Sequence, residues 1–110
     1  ELCMNIENKI DILGILKKDI LFFTKENEKT LEDIGRKKNA ISLEIYGNTE
    51  YKNNDQREIA IKDKCYADTD LSNLFAILKT NNYLIKEKEI ELEKETEILK
   101  MYKAILGGRL

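Results

Sequence analysis

Residues 71–106 read LSNLFAILKTNNYLIKEKEIELEKETEILKMYKAIL, and the fold turns on how they are spaced. Steps alternating between three and four pick out Leu71, Leu74, Leu78, Asn81, Ile85, Lys88, Leu92, Glu95, Leu99, Tyr102 and Leu106, most of them apolar, within a dense field of Glu and Lys. That spacing keeps one side of an α-helix turned toward a partner, which is the seam pattern of a coiled coil. A helix built this way requires another helix.

The first half of the chain supplies one. Ile6, Ile10, Leu13, Leu16, Ile20, Phe23, Asn27, Leu31, Ile34, Lys38, Ile41 and Ile45 also advance by threes and fours. Two fours follow one another around Asn27, which reads as a stutter that locally unwinds a supercoil. Asn5 is a candidate cap for the start of this helix, and Glu7 adds negative charge where the helix dipole favours it. Glu32 with Arg36 and Asp33 with Lys37 are i,i+4 pairs in the favourable order. Gly14 and Gly35 lie within it, either as tolerated weak points or as small residues allowing close helix approach. The polar stretch 24–30 is where a kink is expected. Residues 40–45 also alternate with period two, as a short strand would, but they continue the preceding stripe and are read as helix.

Between the stripes lies turn chemistry. Tyr46-Gly47-Asn48-Thr49 favours a turn because Gly and Asn tolerate left-handed backbone angles. Asp55-Gln56-Arg57-Glu58 offers an Asp cap with Glu three positions on. A short helix over about 56–66 should bury Ile59, with Ile61 and Cys65 beside it, and Asp68-Thr69-Asp70 supplies caps for the next helix. The reading is a single helical domain over 1–110: a long helix over about 5–45, a loop and short helix over about 46–68, and a long helix over about 70–106.

Each stripe spans roughly 36 to 40 residues, or about 54 to 60 Å. Similar lengths joined by a connector of about 25 residues permit an antiparallel coiled-coil hairpin, and also permit exchange of helices between chains. Apolar residues off the seam, at Leu21, Phe22, Phe75, Ile77, Leu84, Ile90 and Ile98, widen each apolar face beyond what two helices cover. The expected fold is therefore all-α, the hairpin closing into a helical bundle on dimerisation. Leu74, Leu78, Ile85, Leu92 and Leu99 are the expected oligomer interface, and truncation of Ile85 at its middle should weaken folding and assembly.

Composition agrees with this plan and narrows the function. The chain has 110 residues, no Pro, 36% charged side chains and a formal net charge of −2. Nothing blocks long helices by ring clash or a missing N–H, and 42% hydrophobic residues is too many for a disordered chain. No segment approaches the about 20 apolar residues that cross a bilayer. The best stretch, 10–23, is interrupted by Asp11, Lys17, Lys18 and Asp19. Residues 1–5 lack the basic start and small-residue cleavage site of a secretory signal, and Met4 reads as a start residue behind a short leader. The expected location is the cytoplasm, without membrane contact.

Chemistry is scarce. There is no His, so the commonest general acid and base near neutral pH is missing and Cys65 has no imidazole to activate it. Cys3 and Cys65 are far apart and form no Cys-x-x-Cys pair, so neither a zinc site nor a disulfide is expected. Glu91 and Glu95 lie one turn apart in the acidic run 87–97. A di-metal bundle would add His three residues beyond a Glu, so the run reads as a solvated helix face. The glycines form no phosphate-binding loop. The expectation is a non-enzyme with no catalytic, cofactor-binding or metal-ligating residue.

The order of a long helix, Asn53-Asn54-Asp55-Gln56-Arg57 opening a short helix, then Asp68-Thr69-Asp70 and a Glu/Lys-rich helix resembles small phage and prophage coiled-coil proteins of low-GC Gram-positive bacteria. The resemblance covers residues 41–106 and brings no catalytic residues with it. It implies a phage-type accessory protein. Two functions follow as expectations. The first is a non-catalytic adaptor or assembly protein that pairs with itself and with a protein partner, polar seam residues Asn27, Asn81 and Lys88 penalising wrong registers. The alternative is an accessory nucleic-acid binder of phage recombination or replication, using Arg36, Lys37, Lys38, Lys62, Lys64, Lys100, Lys103 and Arg109. The net charge and the acidic run oppose the alternative.

Overall fold

The computed structural model describes residues 2–108. Three helices account for nearly all of them: α1, Leu2–Tyr46; α2, Asn54–Ala67; and α3, Thr69–Gly108. No strand occurs among the described residues, so residues 40–45 are helical despite their alternation. Ile41 and Ile45 turn inward there while Leu43 points out, as a period near 3.6 requires.

The helix ends depart from the sequence reading in three places. Asn5 is not a cap, because α1 is already helical at Leu2 and Asn5 lies inside it. At α2 the cap is Asn53 rather than Asp55: its backbone is extended (φ −145°, ψ 169°) and its Oδ1 accepts the Gln56 N–H at 2.8 Å. The Gln56 side chain reaches back to accept the Lys52 N–H, also at 2.8 Å. The arrangement resembles a capping box with Asn53 and Gln56 in place of Asp55 and Glu58, except that Gln56 reaches the N–H one residue before the cap. Asp55 sits in the first turn, where its charge complements the dipole. Third, the turn after α1 uses no left-handed residue, since no positive φ occurs among the described residues. Gly47 N–H closes on the Leu43 carbonyl and Asn48 Oδ1 accepts the Glu50 N–H, so a side chain supplies the turn.

A single residue joins α2 to α3. Asp68 donates its N–H to the Cys65 carbonyl at the end of α2, while its Oδ1 accepts the Leu71 N–H at 2.9 Å at the start of α3. One residue thus serves both helix ends, its backbone N–H closing α2 and its side chain capping α3, as the cap residues 68–70 lead one to expect.

The inward rows follow heptads on α3 and on α1 as far as Ile41. On α3 every position of the stripe from Leu71 to Leu106 is buried or half-buried. On α1 the inward row is Leu2, Ile6, Lys9, Leu13, Leu16, Ile20, Phe23, Asn27, Thr30, Ile34, Lys37 and Ile41, alternating fours and threes, and a second four then leads to the fully buried Ile45. The expected stutter at Asn27 is absent. Leu31 is 53% exposed whereas Thr30 is 6% exposed, and Lys38 and Ile10 likewise give way to Lys37 and Lys9. Hydropathy favoured the apolar neighbour, but helical phase sets which residue faces inward. The helix is also uninterrupted through 24–30, where Thr24 and Thr30 return their hydroxyls to the Ile20 and Glu26 carbonyls.

Gly14 and Gly35 are exposed, and a Cβ added at either meets nothing within 4 Å. They do not serve close helix approach. Gly14→Ala and Gly35→Ala should each raise stability by about 0.5 to 1 kcal/mol by removing the helix penalty of glycine. Urea melts of the two variants test this, and a destabilised variant would reveal a constraint that these backbone positions do not show.

Two compact units can be recognised, one made of Glu1–Lys25 with Asn81–Leu110 and the other of Glu26–Thr80. The second has a cluster of Ile34, Ile41 and Leu71, against which Cys65, Leu74 and Leu78 pack. In the first, Leu16 and Leu99 are the most buried apolar side chains.

Candidate interaction surfaces

Inward polar residues are the first feature that a plain apolar seam would lack. In the first unit Lys9 of α1 forms an ion pair with Glu95 of α3, both side chains largely withdrawn from solvent. Lys88 of α3 lies 3.5 Å from Asp19 of α1. Glu95 is therefore not part of a solvated acidic face, although Glu87, Glu89, Glu91, Glu93 and Glu97 are exposed as expected. Sequence spacing marks Lys88 and Glu95 as seam positions, but their partners depend on the register of one helix against the other.

The second unit holds a tighter charged cluster. Lys37 Nζ lies 3.4 Å from both Asp68 Oδ2 and Asp70 Oδ2, and Lys64 donates to Glu44 Oε1 at 2.8 Å. The expected Asp33–Lys37 pair does not form: Asp33 binds Arg36 at 2.8 Å, with Glu32 at 3.9 Å from the same guanidinium. Lys37 instead occupies an inward position, from which it reaches the α2–α3 corner.

These contacts shift ionisation. The Leu71 N–H and then the Lys37 charge hold Asp68 below the usual aspartate range. The hydrogen bond and charge of Lys64 lower Glu44. Lys37 is raised, chiefly by the Asp68 charge, and Lys64 by its hydrogen bond to Glu44. Lowered carboxylates stabilise the fold above their unfolded values, near 4.5 for Glu44 and 3.8 for Asp68, and this is lost as pH falls through the folded values. Raised ammoniums stabilise it below 10.5 and lose this as pH rises above it. With no His in the chain, this cluster contributes a plateau of stability from pH 5 to pH 9, falling off below about pH 4. Thermal melts across pH 3–9 would show this, and a step near pH 6–7 would contradict it.

The expected interface residues also take part in packing within the chain. Leu99 is buried, Ile85 and Leu92 are half-buried, and Leu74 and Leu78 pack on the Ile34–Ile41–Leu71 cluster. The apolar surface left open lies off the seam. Leu21, Phe22, Phe75, Ile77 and Ile90 are exposed, as are Ile15 and Tyr83, while Leu84 and Ile98 are half-buried. Seam spacing alone gave no reason to single out Ile15 or Tyr83. Ile59, expected inside, also points out of α2. The inward side of α2 consists of Arg57, Ala60, Ile61 and Cys65 at helical spacing, and Ile59 lies off that face.

The basic residues proposed for phosphate contact are largely engaged. Arg36, Lys37, Lys64 and Lys100 pair with acids, and Lys38 lies over the Phe75 ring at 5.3 Å. Arg109 lies outside the described residues. Among the described residues no group of three or more Cys, Asp or Glu is arranged to hold a metal ion, and no helix is long and apolar enough to cross a membrane. Comparison with family models, curated proteins and solved structures finds no match.

Proposed function

We propose that this chain is a non-catalytic coiled-coil adaptor or assembly protein that acts in the cytoplasm through protein–protein contacts, of the phage-type accessory kind its sequence resembles. In this reading α1 and α3 run antiparallel as a hairpin, and two copies close a four-helix core. The hairpin is supported by the order of the ion pairs, since Lys9 pairs with Glu95 and the later Asp19 with the earlier Lys88. One observation carries the functional reading: large apolar side chains remain exposed on both long helices after their heptad rows have been covered. Apolar side chains gathered on one helix face mark an interaction site, and exposed Ile15 and Phe22 on α1, like Tyr83 and Ile90 on α3, recur at the seven-residue spacing that shares a face. Polar inward residues such as Asn81, 5% exposed, suit a protein that must choose one register and partner. Pairing of the basic side chains with neighbouring acids favours this reading over nucleic-acid binding.

Sedimentation at micromolar concentration tests the proposal. A dimer is expected, and Phe22→Glu or Ile90→Glu should shift it toward monomer with little loss of helix, because each places a charge on an exposed position. A wild-type chain that sediments as a well-folded monomer would defeat the assembly claim. Retardation of DNA at low salt would turn the reading toward the nucleic-acid alternative.

A further inference from the structure

The helix α2 is unlike the other two: it contains no buried residue. Its inward side offers one half-buried aliphatic, Ile61, beside Ala60 and the Cys65 thiol. Its outward side leaves Ile59 exposed and Tyr66 93% exposed. Under its C-terminal half lies an open cleft of about 320 Å³, lined by Lys37, Ile41, Glu44, Lys64 and Asp68 among others. Close packing, the usual bond between elements, is therefore poor at this contact. What holds α2 down is largely polar and solvent-accessible. Lys64 binds Glu44 of α1, and Arg57 lies 5.4 Å from the centre of the Tyr46 ring at the end of α1. Among the described residues of α2, Cys65 is the one that packs on the Ile34–Ile41–Leu71 cluster, with Ala60 and Ile61 half-buried beside it.

A segment with few buried contacts opens at lower cost than the whole molecule. Here both ends of the segment suit such a motion. The loop before α2 is short and turn-rich, and the corner after it is one residue, Asp68, whose cap on Leu71 belongs to α3 and survives rotation of α2. We propose that α2 is an ionically latched strap, which lifts from α1 and α3 while both long helices stay folded and so uncovers the Ile34–Ile41–Leu71 cluster. The latch is the Lys64–Glu44 pair, since the Lys37 contacts to Asp68 and Asp70 tie α1 to the start of α3 and stay in place when α2 lifts. The Lys64 and Glu44 side chains are 43% and 66% exposed, so added salt weakens the latch directly.

Cys65 reports the opening. In a Cys3→Ser background it is the single thiol of the chain, and its rate of reaction with a maleimide measures how often the strap lifts. Three results are expected. Labelling should depend on urea much more weakly than global unfolding does, because little surface is exposed. Glu44→Gln and Lys64→Gln should each speed labelling by up to about fivefold, with unchanged far-UV circular dichroism. About 0.5 M salt should accelerate the parent chain and leave those two variants less affected. Labelling that follows global unfolding, with the same urea dependence, would overturn the strap. Labelling through a local opening indifferent to salt and to both substitutions would overturn the ionic latch.

Discussion

Leu71→Ala is expected to lower the unfolding free energy by about 2 to 5 kcal/mol, the cost of emptying a fully buried leucine site. Leu71 has no exposed surface, opens α3 just after the Asp68 cap, and sits in the cluster with Ile34 and Ile41. Few routes to relaxation are open to it, because its backbone is held by the cap. Against a total stability of about 5 to 15 kcal/mol for an ordinary domain, this loss is large. Leu31→Ala is the informative companion. It removes a leucine of the same size from a position 53% exposed, and should cost no more than about 0.5 kcal/mol beyond the small propensity change. Urea denaturation followed by circular dichroism separates the two. Equal losses would mean that Leu31 is inside, and that the α1 row does contain a stutter.

The Leu31 contrast also shows how far the sequence could be read. On α3 the apolar positions and the helical phase agree, so every seam residue from Leu71 to Leu106 falls inward as its spacing says. On α1 they conflict. Thr30 and Lys37 are the inward residues, but each has a more tempting or equally plausible neighbour in Leu31 and Lys38. Choosing by hydropathy inserts a false stutter, whereas insisting on unbroken phase would have found the row. The cap of α2 failed for a related reason: Asp55 and Asn53 are both good cap residues, and only backbone conformation decides between them. The charged contacts were the least legible. Lys37 had an acid four residues before it in the favourable order, and local pairing was the natural choice. Its inward phase carries it to Asp68 and Asp70 instead, contacts that need the α2–α3 corner to be in place.

Reversing one charge of the Lys9–Glu95 pair should have the second large effect, and restoring the pair in swapped order should remove most of it. Glu95→Lys sets two ammonium groups together where an attraction stood. Unit charges at 4 Å interact by about 1 kcal/mol in water and about 4 kcal/mol near a protein surface. Both side chains are mostly withdrawn from solvent, so a loss of about 2 kcal/mol is expected between those limits. Lys9→Glu should cost a similar amount for the same reason. The double variant regains a pair of opposite charges at one site, and its stability should return to within about 0.5 kcal/mol of the parent, giving a coupling far above what distant residues show. Additive losses would mean that Lys9 and Glu95 do not meet in solution, and the proposed antiparallel hairpin would lose its best support. Mixing the two single variants extends the test. Helices exchanged between chains would set Lys9 of one variant against Glu95 of the other and restore stability in the mixture, whereas a pair formed within one chain leaves the mixture as weak as its components.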